Sequence, residues 1–156
     1  MRKLNPRYVE IVSALNNDCP YYTLLSMTVR DVGIGWARLE IDLQKKHLHP
    51  LGAVHGGVYA SLIDSAVYWA VFSEIDKDLS MTSVDLKVNY LAPTQVGKLV
   101  AEGRRIKMGK TLALGEASVT NQEGKMLAHG TSTLMIVGAP VGGFDIELPP
   151  KFIEEG

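Results

Sequence analysis

Apolar and polar residues alternate along several stretches of the chain and follow helical spacing in others. Ala37, Leu39 and Ile41 alternate with Arg38, Glu40 and Asp42, the pattern of a strand with one face in a core. Ser83–Tyr90 alternates in the same way. The pattern predicts strands over Thr23–Val32 and Trp36–Leu43, joined by Gly33-Ile34-Gly35, and later over Ser83–Tyr90, Leu99–Ile106, Leu112–Thr120 and Lys125–Val137. Met108-Gly109-Lys110 and Asn121-Gln122-Glu123-Gly124 supply the turns between the last three. Asn5-Pro6 is a helix start, with a capping residue before Pro at the first helical position. The helix it opens, Arg7–Leu15, ends at Asn16-Asn17, and Cys19-Pro20 breaks the pattern. A loop over His47–Val54 leads into a long helix from Gly56 to Glu74. The expected plan is α+β, a helix of about five turns on a largely antiparallel sheet. It divides into an N-terminal helix (1–17), the main domain (18–138) and a loose C-terminal tail (139–156), rich in Gly and Pro.

Composition narrows the class. The 156 residues are 46% hydrophobic and 21% charged, ordinary for one globular domain. Lys and Arg number 16 against 17 acidic residues, so no basic excess favours nucleic acid or an anionic membrane. The single cysteine, Cys19, excludes an internal disulfide and any multi-cysteine metal site. The apolar stretch Val58–Phe72 is short for a membrane span and contains Asp64. The start, MRKLNPRYVE, lacks an apolar signal core, which makes the cytoplasm the expected compartment.

The chemistry concentrates in the long helix. It is apolar nearly all round, the mark of a buried helix. Ser61, Asp64, Ser65 and Tyr68 nevertheless share one narrow stripe at i, i+3, i+4 and i+7. A carboxylate in such a helix is costly unless it is paired or functional. At the start of the helix, Gly56-Gly57 leaves backbone N–H groups unshielded, which suits an oxyanion or a phosphate; close packing would equally explain both glycines. Gly56 and Asp64 stand roughly 12 Å apart along the axis. One helix cannot present both to one small reacting group. Either one of them is functional, or a two-fold mate supplies the other.

The run His49-Pro-Leu-Gly-Ala-Val-His55-Gly56-Gly57, followed by Leu62-Ile63-Asp64, resembles the hotdog-fold thioesterases of the PaaI-like (phenylacetate-degradation) type. So do Ser83-Val84-Asp85, Asn89-Tyr90-Leu91-Ala92-Pro93, Gly97, Gly109-Lys110-Thr111 and His129-Gly130-Thr131. The resemblance, over about residues 18–137, implies a curved sheet wrapped around the helix. It also implies a homodimer, paired further into a dimer of dimers, that hydrolyses acyl-CoA between protomers without a metal or organic cofactor. It makes Asp64 the base or nucleophile, the Gly56 N–H the oxyanion donor, and Ser83 a residue that places the water or the carboxylate. His55, Gly57, Ser61, Tyr68, Asn89, Gly109 and Thr111 are then expected at the substrate. Independently of the resemblance, Arg104, Arg105, Lys107 and Lys110 gather at one hairpin, where they either solubilise the turn or, for Arg104, Lys107 and Lys110, contact the coenzyme A phosphates. His49 stands where many members have Asn. It would orient water or substrate, or act as a base itself.

Other readings use the same residues. His47, His49 and His55 form H-x-H-x5-H, which is not a known zinc spacing. Gly103 precedes Gly109 by one position too many for a P-loop, and strands lie on both sides. No G-x-S-x-G elbow is present. A non-catalytic acyl-CoA sensor would leave Asp64 without a purpose. An enoyl-CoA hydratase would want an Asp/His pair near the helix start.

Overall fold

The sheet is where the alternating stretches predict it. In the computed structural model, which describes residues 1–140 and 142–155, strands β2 (Met27–Gly33), β3 (Trp36–Asp42), β4 (Ser80–Tyr90), β5 (Lys98–Met108), β6 (Leu112–Thr120) and β7 (Met126–Val137) form one antiparallel sheet. Its order is β2-β3-β5-β6-β7-β4. Helix α3 (Gly56–Phe72) lies in the curve of this sheet and touches all six strands. The inward residues Leu39, Ile41, Leu99, Val119 and Leu134 and the helix residues Leu62, Ile63, Ala66 and Val67 are fully buried together.

The helix presses on the strands at backbone distance. A Cβ at Gly103 would overlap the Ala66 carbonyl, and one at Gly115 would come within 2.5 Å of Val67 Cγ1. Glycine is required at both for this close approach. The expectation that α3 is buried all round needs correcting. Ser61, Asp64, Ser65 and Tyr68 are only half-buried, because their stripe faces away from the concave sheet.

Three further points differ from the sequence reading. Helix α1 runs Pro6–Asn17, with Asn5 Oδ1 accepting from the Arg7 N–H. Cys19-Pro20 does not simply break the chain, however: Pro20 opens a second helix, α2 (Pro20–Leu25), so Thr23–Leu25 is helical and strand β2 begins only at Met27. The β-favouring look of Tyr21, Tyr22 and Thr23 conceals the Pro at the first helical position. The tail is not loose throughout either. Strand β8 (Phe152–Glu154) pairs antiparallel with β1 (Arg2–Leu4). Before it, Lys151 is 2% exposed and donates from Nζ to the carbonyls of Phe72 (2.5 Å) and Ile75 (2.7 Å). Its ammonium also sits 3.7 Å from the Phe72 ring centroid. Burial pushes the Lys151 pKa down to about 7. Helix C-termini present orphan carbonyls, and here a lysine from the far end of the chain satisfies them. No helix among the described residues is long and apolar enough to cross a membrane.

Candidate active site

The loop before α3 is a small folded unit. A turn of 3-10 helix (Lys45–His47) precedes it, and Leu48 and Val54 bridge across it. Inside, the His49 N–H donates to Ala53 O (2.8 Å) and the Gly52 N–H to His49 O (2.9 Å). His47 is buried at 1% exposure; its Nδ1 accepts from the Gln44 N–H and its Nε2–H donates to Leu25 O (2.6 Å). Both its ring nitrogens are therefore occupied by backbone, and His47 has none left over for a ligand. No cluster of three or more potential metal ligands occurs among the described residues.

His55 caps α3, its Nδ1 accepting from the Gly57 N–H at 2.9 Å. That bond explains Gly57, because a Cβ there would stand 3.0 Å from the same Nδ1. The Val58 N–H goes to His55 O (3.0 Å). The Gly56 N–H is left without an acceptor among the described residues, at the positive end of the helix. It lies in a cleft of about 410 Å³ lined by His49, Tyr59, Tyr90, Leu91 and Pro93. His49 Nδ1 accepts from the Leu51 N–H at 3.0 Å. The neutral ring then carries its proton on Nε2, which makes it a donor rather than a base.

Asp64 occupies a different cleft, of about 350 Å³, lined by Tyr21, Tyr22, Ser61, Ser65 and Leu86. The Ser83 hydroxyl donates to Asp64 Oδ1 at 2.8 Å. Ser61 is within 2.6 Å of the Tyr21 hydroxyl. The carboxylate is thus half-exposed, oriented by one hydroxyl, and held apart from Gly56. A single chain does not assemble one site from both residues.

Not every expected residue comes near these clefts. Tyr68 lines a separate cavity, one turn further along α3. Asn89 alternates with Val88, packed on the core, and Tyr90, in the Gly56 cleft, so it projects from the opposite face of the sheet. Arg104, Lys107, Lys110 and Thr111 are exposed along β5 and its hairpin, and none of them lines either cleft. That hairpin lies beyond the C-terminal end of α3, where Arg105 makes a bidentate pair with Glu74 at 2.7 Å. Gly109 is explained by the turn, because a Cβ there would approach Leu112 O to 2.6 Å. Sequence reasoning missed Tyr21, Tyr22, Leu86 and Tyr90 as cleft residues; the helix-opening Pro20 was the available signal for the first two.

Residues 51–128 match the family model described as the thioesterase superfamily. The chain belongs to this superfamily.

A mouse relative, acyl-coenzyme A thioesterase 13, is 33% identical over 96 residues, covering 60% of this chain and 68% of the relative. Its human counterpart is 28% identical over 127 residues, covering 80% and 90%. Among solved structures, a thioesterase from Haemophilus influenzae superposes with a TM-score of 0.80 at 20% identity, over 88% of this chain and 96% of that one. The Escherichia coli PaaI protein gives 0.77 at 20% identity, over 87% and 97%. The α+β plan is accordingly the hotdog fold, and this thioesterase-superfamily chain is a thioester hydrolase. The matched span contains His49's neighbours, both glycines, Asp64 and Ser83, but neither α1 nor the C-terminal segment.

Proposed function

We propose that the chain hydrolyses acyl-CoA to a free acid and coenzyme A, at sites each shared between two copies related by a two-fold axis. The substrate class rests on the thioesterase family and on the relatives that carry an acyl-coenzyme A thioesterase name. The observation that carries the shared site is the edge strand. Strand β4 ends the sheet, and its residues Thr82–Lys87 are exposed. Ser83 on this strand stands over Asp64, while Tyr90 stands over Gly56. Long bare edges invite another strand. Pairing β4 antiparallel with its copy, about an axis near Leu86 and Lys87, sets Ser83 opposite Tyr90 of the mate. Each Asp64 cleft then meets the other copy's Gly56 cleft.

In that site Asp64 takes a proton from a water that attacks the carbonyl carbon, or attacks that carbon itself to form an anhydride that water then hydrolyses to the free acid, regenerating the carboxylate. The C–S bond breaks as the new C–O bond is completed, and the thiolate leaves to be protonated. The Gly56 N–H stabilises the oxyanion. Ser83 holds the carboxylate, and His49 donates from Nε2 toward the carbonyl or the water. Leu112, Leu114 and Met135 are exposed on the convex face of the sheet, with Ile106 exposed at the neighbouring bulge. This patch supports the pairing of dimers into a tetramer.

The reading is tested by thiol release from short-, medium-, long-chain and aryl acyl-CoAs. At least one class should be turned over. Binding without thiol release in every class would favour a sensor. For His49, Asn supplies the same donor from a similar place, so His49→Asn should keep activity within about threefold, whereas His49→Ala should lose at least about tenfold in kcat/KM. Equal activity of the Ala and wild-type proteins would remove His49 from the site.

A further inference from the structure

We propose that the cavity between α1, the C-terminal half of α3 and the segment 142–148 receives the acyl group of the substrate, selecting apolar acyl groups of medium length or with an aryl ring. This rests on the thioesterase reading above and extends it to specificity. The cavity measures about 490 Å³, the size of a small-ligand site. Tyr8, Val12, Tyr68, Trp69, Phe72 and Leu148 form its apolar walls. Phe72 is their centre, stacked with Tyr8 (6.4 Å) and Tyr68 (6.1 Å) and edge-on to Trp69 (5.3 Å). Flat walls of this kind suit a ring or an extended chain.

The cavity continues the catalytic stripe. Tyr68 follows Asp64 by one helical turn on the same face of α3, with about 5–6 Å between their Cβ atoms. Tyr22 links the two spaces: it lines the Asp64 cleft, and its hydroxyl accepts at 3.2 Å from Nε1 of Trp69, a wall residue of the cavity. A carbonyl carbon at Asp64 therefore has an apolar chamber in reach on one side. Burial raises the pKa of Tyr8, Tyr22 and Tyr68, so these hydroxyls stay neutral beside an apolar ligand.

The outer wall is anchored. The Asn5 N–H donates to Lys151 O (2.8 Å), Asn5 Nδ2 donates to Pro150 O (2.7 Å), and Lys151 binds the end of α3. Both α1 and the segment 142–148 lie outside the residues matched to the superfamily, 51–128. The outer walls of the chamber thus lie outside the matched span, while Tyr68, Trp69 and Phe72 lie within it.

Leu148 tests this, since it is half-buried, lies in the wall and touches no catalytic group. Wild type, Leu148→Trp and Leu148→Ala are compared on acetyl-, decanoyl- and benzoyl-CoA. Filling the chamber with Trp should lower kcat/KM for decanoyl- and benzoyl-CoA by about tenfold or more and leave acetyl-CoA within about twofold. Leu148→Ala should move the preference toward longer chains. An equal change for all three substrates in both variants, or none, would overturn the proposal. If Leu148→Trp does not fold, the Ala variant decides alone. If the wild type releases no thiol from any substrate, the thioesterase reading fails first. Calorimetric binding of decanoate and benzoate then tests the chamber: binding abolished by Trp or strengthened for decanoate by Ala supports it, and absent or unaltered binding overturns it.

Discussion

Asp64→Asn is expected to lower kcat by at least about 100-fold with acyl-CoA binding retained, the range for removing a general base. The substitution is a narrow one. The amide oxygen can still accept from the Ser83 hydroxyl, which lies 2.8 Å from Oδ1 in the native chain. The side chain keeps its size in a half-open cleft. Only the ability to take a proton or to attack is lost, so KM and the melting temperature should hardly move. Steady-state thiol release gives kcat, and calorimetry with a non-hydrolysable acyl-CoA analogue gives binding. Near-normal turnover of the purified variant would show that another group does the chemistry.

A second large effect is expected from mixing two dead proteins. Asp64→Asn lacks the carboxylate, and Gly56→Pro lacks the N–H. The second change is mild for the backbone. Pro is favoured at the first helical position, and the preceding His55, at φ −64° and ψ 137°, already has the conformation that Pro demands. The added ring meets the edge of the Tyr90 side chain, 3.0 Å from where a Cβ would stand, so dimer formation by the variant is the control that matters. After subunit exchange, half of the dimers should be mixed, each with one intact site. Activity should rise from the background of either variant to about a quarter of wild type, the limit for random two-fold pairing. Circular dichroism and light scattering establish that both variants fold and associate. If they do, and the mixture stays at background, the carboxylate and the donor of one site come from the same chain.

Much of this architecture was legible because its signals are local. Alternation in Ala37–Asp42 and Ser83–Tyr90 marks strands without knowledge of their partners. The helix rise alone separates Gly56 from Asp64, so the two distinct clefts follow from counting residues. What escaped depends on contacts distant in sequence. Nothing in Phe152–Glu154 announces a strand until Arg2–Leu4 is beside it. Lys151 reads as a surface charge until the end of α3 provides two carbonyls. Asn89 is instructive. The resemblance assigned it to substrate, although alternation with Val88 and Tyr90 already turned it to the other face. His49 was open between base and donor from sequence, and a single backbone N–H, that of Leu51, selects the tautomer.

The glycines beneath α3 have a consequence for how such a chain can change. With Gly103 and Gly115 admitting the helix to backbone distance, α3 has no room to slide or roll on its sheet. The positions of donor and carboxylate are therefore locked to the sheet, as the graduations of a ruler are to its edge. Mutations in α1 or in the segment 142–148 can reshape the neighbouring chamber without disturbing that scale. Selection can thus trade one acyl group for another at the periphery while the reaction at the centre stays in register.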